Sequence, residues 1–354
     1  MKQYIVVFIF LVITIGSLGQ QNDSIREVPF QITFVPPMGT NGIYAGKTIN
    51  WFSINIIGGY AYGLTGVEFG SITNINSHFM HGVQFSGFAN ITNGKANGVQ
   101  FSGFSNINNG NSEVIQFSGF ANINNGITSG LQSAGFGNLA RNIKGVQIAG
   151  FGNLARNVKG AQIAGFINVA KTISGLQLGV LNIADTVKNG IPIGVLSIVR
   201  NGYREFEIGL SEGLNSYASF KIGVTQFYNI FSIGIQYLSD RFRWGFGYGI
   251  GTHLTDSESF KVNLEAMSYH INENRNWTNA YNDIQQLKLT FARTLSDNIS
   301  IFAGPTLNLM ISDYLNPGQL RTGSCLAPYS IVNEWSNKTS LKGWAGFSAG
   351  IRIK

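Results

Sequence analysis

The chain has 354 residues, of which 44% are hydrophobic and only 12% are charged, about half the charge of an ordinary soluble domain. This composition excludes a disordered chain, and seven prolines exclude collagen. The net charge of +7 comes from a shortage of acidic residues and not from basic clusters, so we expect no nucleic-acid partner.

The N-terminus has the pattern of a secretory signal peptide. A basic residue precedes an apolar run over residues 4–15, and small residues follow. We therefore predict a signal peptide over residues 1–19, export through the Sec pathway, and an N-terminal lead-in over residues 20–49. No cysteine follows the cleavage point, which argues against a lipoprotein, and Cys325 is the only cysteine, so it has no partner for an internal disulfide.

A tandem repeat fills residues 50–200. Ten units follow one another, first every 16 and then every 15 residues, with consensus sequences such as GVQFSGFANI and GVQIAGFGNL. Apolar and polar positions alternate with period 2: Val99 and Phe101 point one way, Gln100 and Asn106 the other. Each unit therefore predicts a strand, and ten residues at about 3.3 Å each are long enough to cross a hydrocarbon core when tilted.

The connectors between units are polar. Asn-Gly pairs at residues 93–94, 109–110 and 125–126 favour tight hairpins, and nearly all charges of the repeat region lie in the connectors. Charge confined to turns is typical of strands that face lipid.

The strand pattern continues over residues 201–354 without a linker. Eight strands are predicted, and the long connections at 272–283 and 313–340 fall on alternate turns, as they do in outer-membrane barrels. The main prediction is an all-β fold, an antiparallel up-and-down transmembrane β-barrel of about 18 strands, whose second part (residues 201–354) supplies the C-terminal strands.

The alternative is a β-solenoid formed by the repeats, followed by an eight-stranded barrel. The segment from Gln177 to Ala184 looks like the Gln-x-Gly-x-x-Asn-x-Ala motif of curli amyloid subunits, in which Gln and Asn ladders stack between coils. In that case an inner apolar column is expected, formed by Val146, Ile148, Phe151, Leu154 and Val158.

The repeats resemble a known family. The GVQIAGFGNL units, the segment from Gly46 to Tyr60 and the segments 227–234 and 243–249 together are similar to outer-membrane and surface-repeat proteins of Bacteroidetes, which are related to repeats of spirochaete surface proteins. The resemblance implies an envelope location and no known activity, cofactor or catalytic residue.

The barrel interpretation predicts a lumen lined by neutral amides and a passive pore for small polar solutes, or a structural envelope component, in the outer membrane of a Gram-negative cell. The lumen-lining residues would be Gln84, Gln100, Gln116, Gln132, Gln147, Gln162, Gln177, Asn90, Asn106, Asn122, Asn138, Asn153, Asn168 and Asn182. The expected partners are outer-membrane lipid and small polar solutes. The solenoid alternative predicts a surface-exposed repeat protein for adhesion or ligand binding.

No catalytic, cofactor or metal site is predicted. His78 and His81 have the spacing of a metal pair but lack a third ligand nearby. Ser268 and His270 lie on one face of a strand without a Gly-x-Ser-x-Gly elbow or a matched acid. We therefore expect a protein that is not an enzyme.

Overall fold

The computed structural model describes residues 24–354 except 239–240, 256, 258, 274–276, 316–322 and 337, so the predicted signal peptide lies outside the described residues. The described chain is built of strands and one 3-10 helix, Gly42–Lys47. The strands are β1 Arg26–Val35, β2 Met38–Gly39, β3 Thr48–Asn55, β4 Gly58–Gly70, β5 Thr73–Ser86, β6 Ala89–Thr92, β7 Lys95–Ser102, β8 Ser105–Asn108, β9 Ser112–Ser118, β10 Ala121–Ala134, β11 Gly137–Ala149, β12 Gly152–Ala164, β13 Ile167–Leu178, β14 Leu181–Ile193, β15 Leu196–Val199, β16 Tyr203–Ser211, β17 Ser216–Val224, β18 Phe227–Gln236, β19 Arg243–His253, β20 Phe260–Glu273, β21 Asn282–Ser296, β22 Ile299–Ser312, β23 Val332–Ser336 and β24 Thr339–Ile353.

The repeats form a β-solenoid of about ten coils, and the prediction of an 18-stranded antiparallel barrel is wrong. From β3 to β15 every pairing is parallel, and each residue lies beside its equivalent in the next coil. Gln147 pairs with Gln162, and Asn138 pairs with Asn153. A meander would have put antiparallel neighbours side by side, whereas a chain that coils once per repeat stacks identical residues.

The period-2 alternation is present, but the polar side faces inward. Gln147 and Asn153 are buried, whereas Ile148 and Leu154 point outward and are exposed. Of the apolar column expected for a solenoid only Val158 is buried, among Ala140, Ala155, Ile143 and Ile173. The amides can occupy the interior because parallel stacking pairs each donor with an acceptor one coil away.

The glycine that opens most coils has a positive φ, whereas the glycines of the Asn-Gly pairs do not. Gly145 and Gly160 have φ of 144° and 126°, a region that favours glycine. A Cβ added to Gly160 would lie 2.1 Å from the carbonyl oxygen of Gly145 in the preceding coil. The coils therefore stack so closely at these glycines that no side chain fits between them.

Residues 203–353 form a second sheet, which is antiparallel and closes on itself. Strands β16 to β22 pair in chain order, β24 pairs with β22, and β24 also pairs with β16. The eight strands predicted from the sequence in this half agree in number with β16 to β22 and β24. We call this eight-stranded unit, with β23 attached to its edge, the closed sheet. It corresponds to the second part of the alternative prediction.

Both ends of the solenoid are covered. At the N-terminal end, β1 adds a parallel strand to β3, and Asn50 donates a hydrogen bond to Gln31 across 2.6 Å. At the C-terminal end, the last coil packs against the outer wall of the closed sheet. There Asn229 donates to the Gly194 carbonyl at 2.9 Å and accepts from the Ser197 amide at 2.8 Å. Repeat arrays need such caps because the terminal coils would otherwise expose unpaired backbone groups.

Candidate binding surface

The amides predicted to line a lumen instead form two hydrogen-bonded ladders inside the solenoid. Each Gln Nε2 donates to the Gln Oε1 of the preceding coil at 2.7 to 2.9 Å, from Gln177 down to Gln84. Each Asn Nδ2 donates to the Asn Oδ1 of the following coil at 2.9 to 3.0 Å, from Asn90 up to Asn182. These side chains are buried, so a solute outside the solenoid does not reach them.

The Asn ladder also satisfies the backbone at the corner of each coil. The second Nδ2 hydrogen of Asn122 reaches the Ser133 carbonyl at 2.8 Å, and that of Asn153 reaches the Ile163 carbonyl at 2.8 Å. Buried carbonyls at a turn need such a donor. The ladders are therefore structural elements of the solenoid.

Glu68 ends the Gln ladder. Its carboxylate accepts hydrogen bonds from Gln84 at 2.8 Å, Asn76 at 2.7 Å and Asn55 at 2.9 Å. Burial raises the pKa of Glu68, although the hydrogen bonds from Gln84, Asn76 and Asn55 oppose this shift. The site is enclosed, so its chemistry bears on stability and not on an external ligand.

The outer surface of the solenoid is apolar and regular. Phe88, Phe104, Phe120, Phe136, Phe151 and Phe166 stack along one corner with ring centroids 4.8 to 5.3 Å apart. A second column of stacked rings contains Phe69, Phe85, Phe101 and Phe117. We call the first column the Phe corner.

A groove of about 780 Å³ runs beside the second column over the first coils. Phenylalanine rings form one wall, and the Ser-Gly segments that precede the Phe corner form its floor, including Gly87, Gly103 and Gly119. These glycines lack side chains, which leaves open space above the backbone between the rings. The groove offers apolar contact to an extended chain and presents no charge.

The charged side chains of the closed sheet lie in its interior. Lys221 contacts Glu207 and Glu265, each at 2.5 Å, and Lys288 bridges the same two carboxylates at 2.7 and 2.9 Å. Arg352 adds a contact to Glu207 at 2.7 Å. A buried charge must be paired, and here each is.

Other parts of the interior are filled as well. Arg243 pairs with Glu273 at 2.5 Å. A cluster of buried apolar side chains completes the filling and includes Tyr228, Met267, Tyr269, Ile271, Met310 and Trp344. The described side chains therefore pack the lumen of the closed sheet.

The outside of the closed sheet is apolar. Its exposed residues include Phe206, Ile208, Leu210, Phe231, Ile233, Ile235, Phe246, Ile250, Phe291, Ile299, Ile301, Leu307, Phe347, Ile351 and Ile353. This arrangement inverts the usual polarity of a protein in water, where such side chains are buried.

The histidines singled out in the sequence do not meet a nucleophile or a metal-ligand set. Both ring nitrogens of His270 are engaged, with Asp283 at 2.8 Å and the Thr278 carbonyl at 3.0 Å, while the Ser268 hydroxyl accepts a hydrogen bond from Gln285. His78 stacks on Tyr62 at 3.8 Å. The described residues contain no group of three or more His, Cys, Asp or Glu side chains arranged for a metal ion.

Sequence reasoning missed the charged interior of the closed sheet and the hydrogen-bonded role of Asn229. The signal for the first was present: Glu205, Glu207, Lys221, Glu265 and Lys288 alternate with apolar residues in strands that are otherwise hydrophobic. In a strand, alternate residues share a face, so these charges had to lie on one side of the sheet. Asn229 carried no comparable signal, because its partners belong to the last coil.

Comparisons with known proteins returned no match: no family model, no curated protein and no solved structure resembles the chain at a significant level. Among the residues that the structure covers, no helix has the length and hydropathy needed to cross a membrane.

Proposed function

We propose that this protein is an envelope repeat protein in which the closed sheet is an anchor in the outer membrane and the solenoid is the interacting part. The observation that carries the proposal is the inverted polarity of the closed sheet. Paired charges such as Lys221 and Glu207 lie inside, and large apolar side chains cover the outside. Strands in hydrocarbon need outward apolar side chains and closed backbone pairing, and this sheet supplies both.

The strand lengths support a membrane anchor. A tilted strand needs about 9–11 residues to cross a bilayer, and β22 and β24 have 14 and 15. Outward apolar residues extend along β22 from Ile299 to Leu309, so the apolar belt is as tall as a hydrocarbon core.

The packed lumen favours an anchor over a channel for solutes. The pore prediction required the wide lumen of about 18 strands, and that fold is wrong. Eight strands enclose a space that side chains can fill, and here the buried ion pairs around Glu207 and Glu265 occupy it. We also propose that the protein is not an enzyme, which agrees with the occupied ring nitrogens of His270.

The solenoid is the proposed binding element because its repeats present the same side chains at every coil. Stacked Phe columns and the groove beside Phe85, Phe101 and Phe117 give an apolar surface that is rigid and extended. Such a surface fits a long ligand better than a compact one. Adhesion to another surface through the same coils is the second candidate, favoured by the regular columns.

Leu307→Arg tests the anchor. Leu307 is 60% exposed on the outer wall in the middle of β22, so arginine there would face hydrocarbon, at a cost of about 2–4 kcal/mol near the midplane. We expect a markedly lower fraction of the full chain to insert into phospholipid vesicles, measured by flotation and resistance to alkaline extraction.

Leu315→Arg is the matched control, because Leu315 is an exposed leucine in the long connection after β22, beyond the end of the apolar belt at Leu309. Insertion of this variant should equal that of the parent chain. Equal insertion of the Leu307→Arg chain would contradict the proposed anchor.

A further inference from the structure

The solenoid itself has the surface of a lipid-embedded element. The phenylalanines of the Phe corner are 40% to 56% exposed, as are the residues at the equivalent position of other coils, Ile72, Val180 and Val195. The two strand faces that meet at this corner carry outward Val, Ile, Leu and Phe, and within residues 82–202 these two faces carry no charged side chain. A soluble monomer rarely exposes an apolar patch of more than a few hundred Å², so this surface needs a covering.

Charge is confined to the edge opposite the Phe corner. Within residues 82–202 this edge carries eight cations and two carboxylates: Lys95, Arg141, Lys144, Arg156, Lys159, Lys171, Lys188 and Arg200, with Glu113 and Asp185. Arg141 and Arg156 lie in the same turn of successive coils, and Lys144 pairs with Lys159 in register. We call this column the basic edge. Each coil is thus an amphipathic wedge with an apolar tip and a cationic base.

The depth of the wedge matches one leaflet. Arg156 at the base is five residue steps from Phe151 at the tip, and extended residues advance about 3.3 Å per step, which gives about 16 Å. Half of a hydrocarbon core of about 30 Å is close to the same length. A coil that inserts its tip to the bilayer midplane would therefore place its cations at the headgroups.

The docking of the last coil on the closed sheet has the orientation that this requires. Residues 200–202 lie at the basic edge and lead directly into Tyr203. Tyr203 pairs with Gly223, which pairs with Tyr228, so Tyr203 lies at the end of the closed sheet where a hairpin joins β17 to β18. At the apolar tip, the Val195 carbonyl accepts a hydrogen bond from the Tyr248 hydroxyl. Tyr248 pairs with Phe231 in β18, which is three residues further from that hairpin than Tyr228. The base thus lies at the rim of the closed sheet, and the tip lies beside its apolar belt.

We infer that the solenoid lies within one membrane leaflet, with its axis in the membrane plane, and that its ligand is the phospholipid monolayer itself. The apolar surfaces contact acyl chains, and the basic edge contacts anionic headgroups. Polybasic segments gain about 1 kcal/mol per cation near such a surface. The inference rests on the proposed function, because the closed sheet sets the depth of the wedge in the membrane. The inferred placement replaces a solenoid that projects into water.

Single cysteines carrying an environment-sensitive fluorophore test this placement in the full chain. In a Cys325→Ser background we would label Phe120→Cys at the tip, Asn125→Cys at the basic edge and Ile301→Cys on the closed sheet. The chain would be inserted into vesicles of phosphatidylcholine with phosphatidylglycerol, and quenching by acyl-brominated lipid and by aqueous iodide would be compared. We expect labels 120 and 301 to be quenched by brominated lipid and label 125 by iodide.

The three labels separate the two proposals. Quenching of label 301 by brominated lipid together with quenching of label 120 by iodide would overturn the wedge and leave the anchor intact. Quenching of all three labels by iodide in flotation-purified vesicles would overturn the anchor as well.

A second pair of variants tests the basic edge. In the chain labelled at position 120, replacing Arg156 and Lys159 by Gln should lower the ratio of lipid-embedded label to water-exposed label. We expect a decrease of about fivefold per cation in anionic vesicles and no effect in pure phosphatidylcholine. Ser174→Gln is the control, because Ser174 pairs with Lys159 in register and its replacement removes no charge. An unchanged ratio in the charge-removed variant would overturn headgroup binding.

Discussion

At the scale of single residues, Glu68 stands out because it ends a neutral amide ladder with an ionisable group. Three amide donors from Asn55, Asn76 and Gln84 approach its carboxylate, and the side-chain oxygen Oδ1 of Asn76 has no hydrogen-bond partner. A glutamine at this position would keep an oxygen for Gln84 and Asn76, which both donate to Oε2, but its amide nitrogen would face the Nδ2 donor of Asn55. Glutamine therefore removes the ionisable group and loses one of the three donor contacts.

Glu68→Gln should change how stability depends on pH. Because burial raises the folded-state pKa of Glu68 above its ordinary value of 4.5, the folded protein binds the proton more tightly than the unfolded chain. The stability from this group is complete below pH 4.5 and is lost as pH rises through the folded-state pKa. The melting temperature of the Gln variant minus that of the parent should therefore be near zero or negative at pH 4 and should increase towards pH 7. A difference that does not vary with pH would contradict the raised pKa.

At the scale of elements, the two amide ladders explain why a polar interior is stable. Gln132 accepts from Gln147 and donates to Gln116, each at 2.9 Å, so every interior rung makes two ladder bonds. The terminal rung, Gln177, donates to Gln162 but its own carbonyl oxygen has no partner. An interior rung is thus bound on both sides and the terminal one on a single side.

Gln132→Leu should destabilise the solenoid more than Gln177→Leu. The first change leaves the amide of Gln147 and the carbonyl of Gln116 buried without partners, and each unsatisfied group costs about 1–3 kcal/mol. The second change leaves only the side-chain carbonyl oxygen of Gln162 without its donor. Chemical denaturation followed by circular dichroism would measure both, and equal losses would show that the ladder bonds contribute little.

At the scale of the whole molecule, the solenoid and the long connections lie at opposite ends of the closed sheet. The chain enters β16 from the solenoid at Tyr203, at the same end as the 225–226 hairpin and the C-terminus. The long connections before β21 and β23 lie at the other end. In outer-membrane proteins the short turns face the periplasm, so the proposed wedge belongs to the periplasmic leaflet.

An epitope tag reports this orientation. In a Gram-negative host we expect a tag inserted after Pro328, in the connection before β23, to bind antibody on intact cells. A tag inserted between Asn109 and Gly110, at the edge of the solenoid, should bind only after the outer membrane is permeabilised. Antibody binding to the second tag on intact cells would contradict the periplasmic placement.

The sequence alone determined the all-β class, the repeat boundaries and the eight C-terminal strands, because a period of two and the spacing of Gly and Asn depend on local geometry. It did not distinguish a hairpin from a coil, since 15 or 16 residues suffice for either and the alternation of Gln100 with Phe101 is the same in both. The signal for stacking was the identical placement of Gln and Asn in every unit, which in-register parallel pairing uses and a meander does not.

Only the tertiary structure decided which face of each strand is inside. Alternation shows that Gln147 and Ile148 point in opposite directions, but not which of them is covered. Parallel pairing places each Gln donor within 2.7 to 2.9 Å of an acceptor one coil away, which removes the usual penalty for burying it. The same rule holds in the closed sheet, where Lys221 and Glu207 are buried because strands distant in sequence bring opposite charges together.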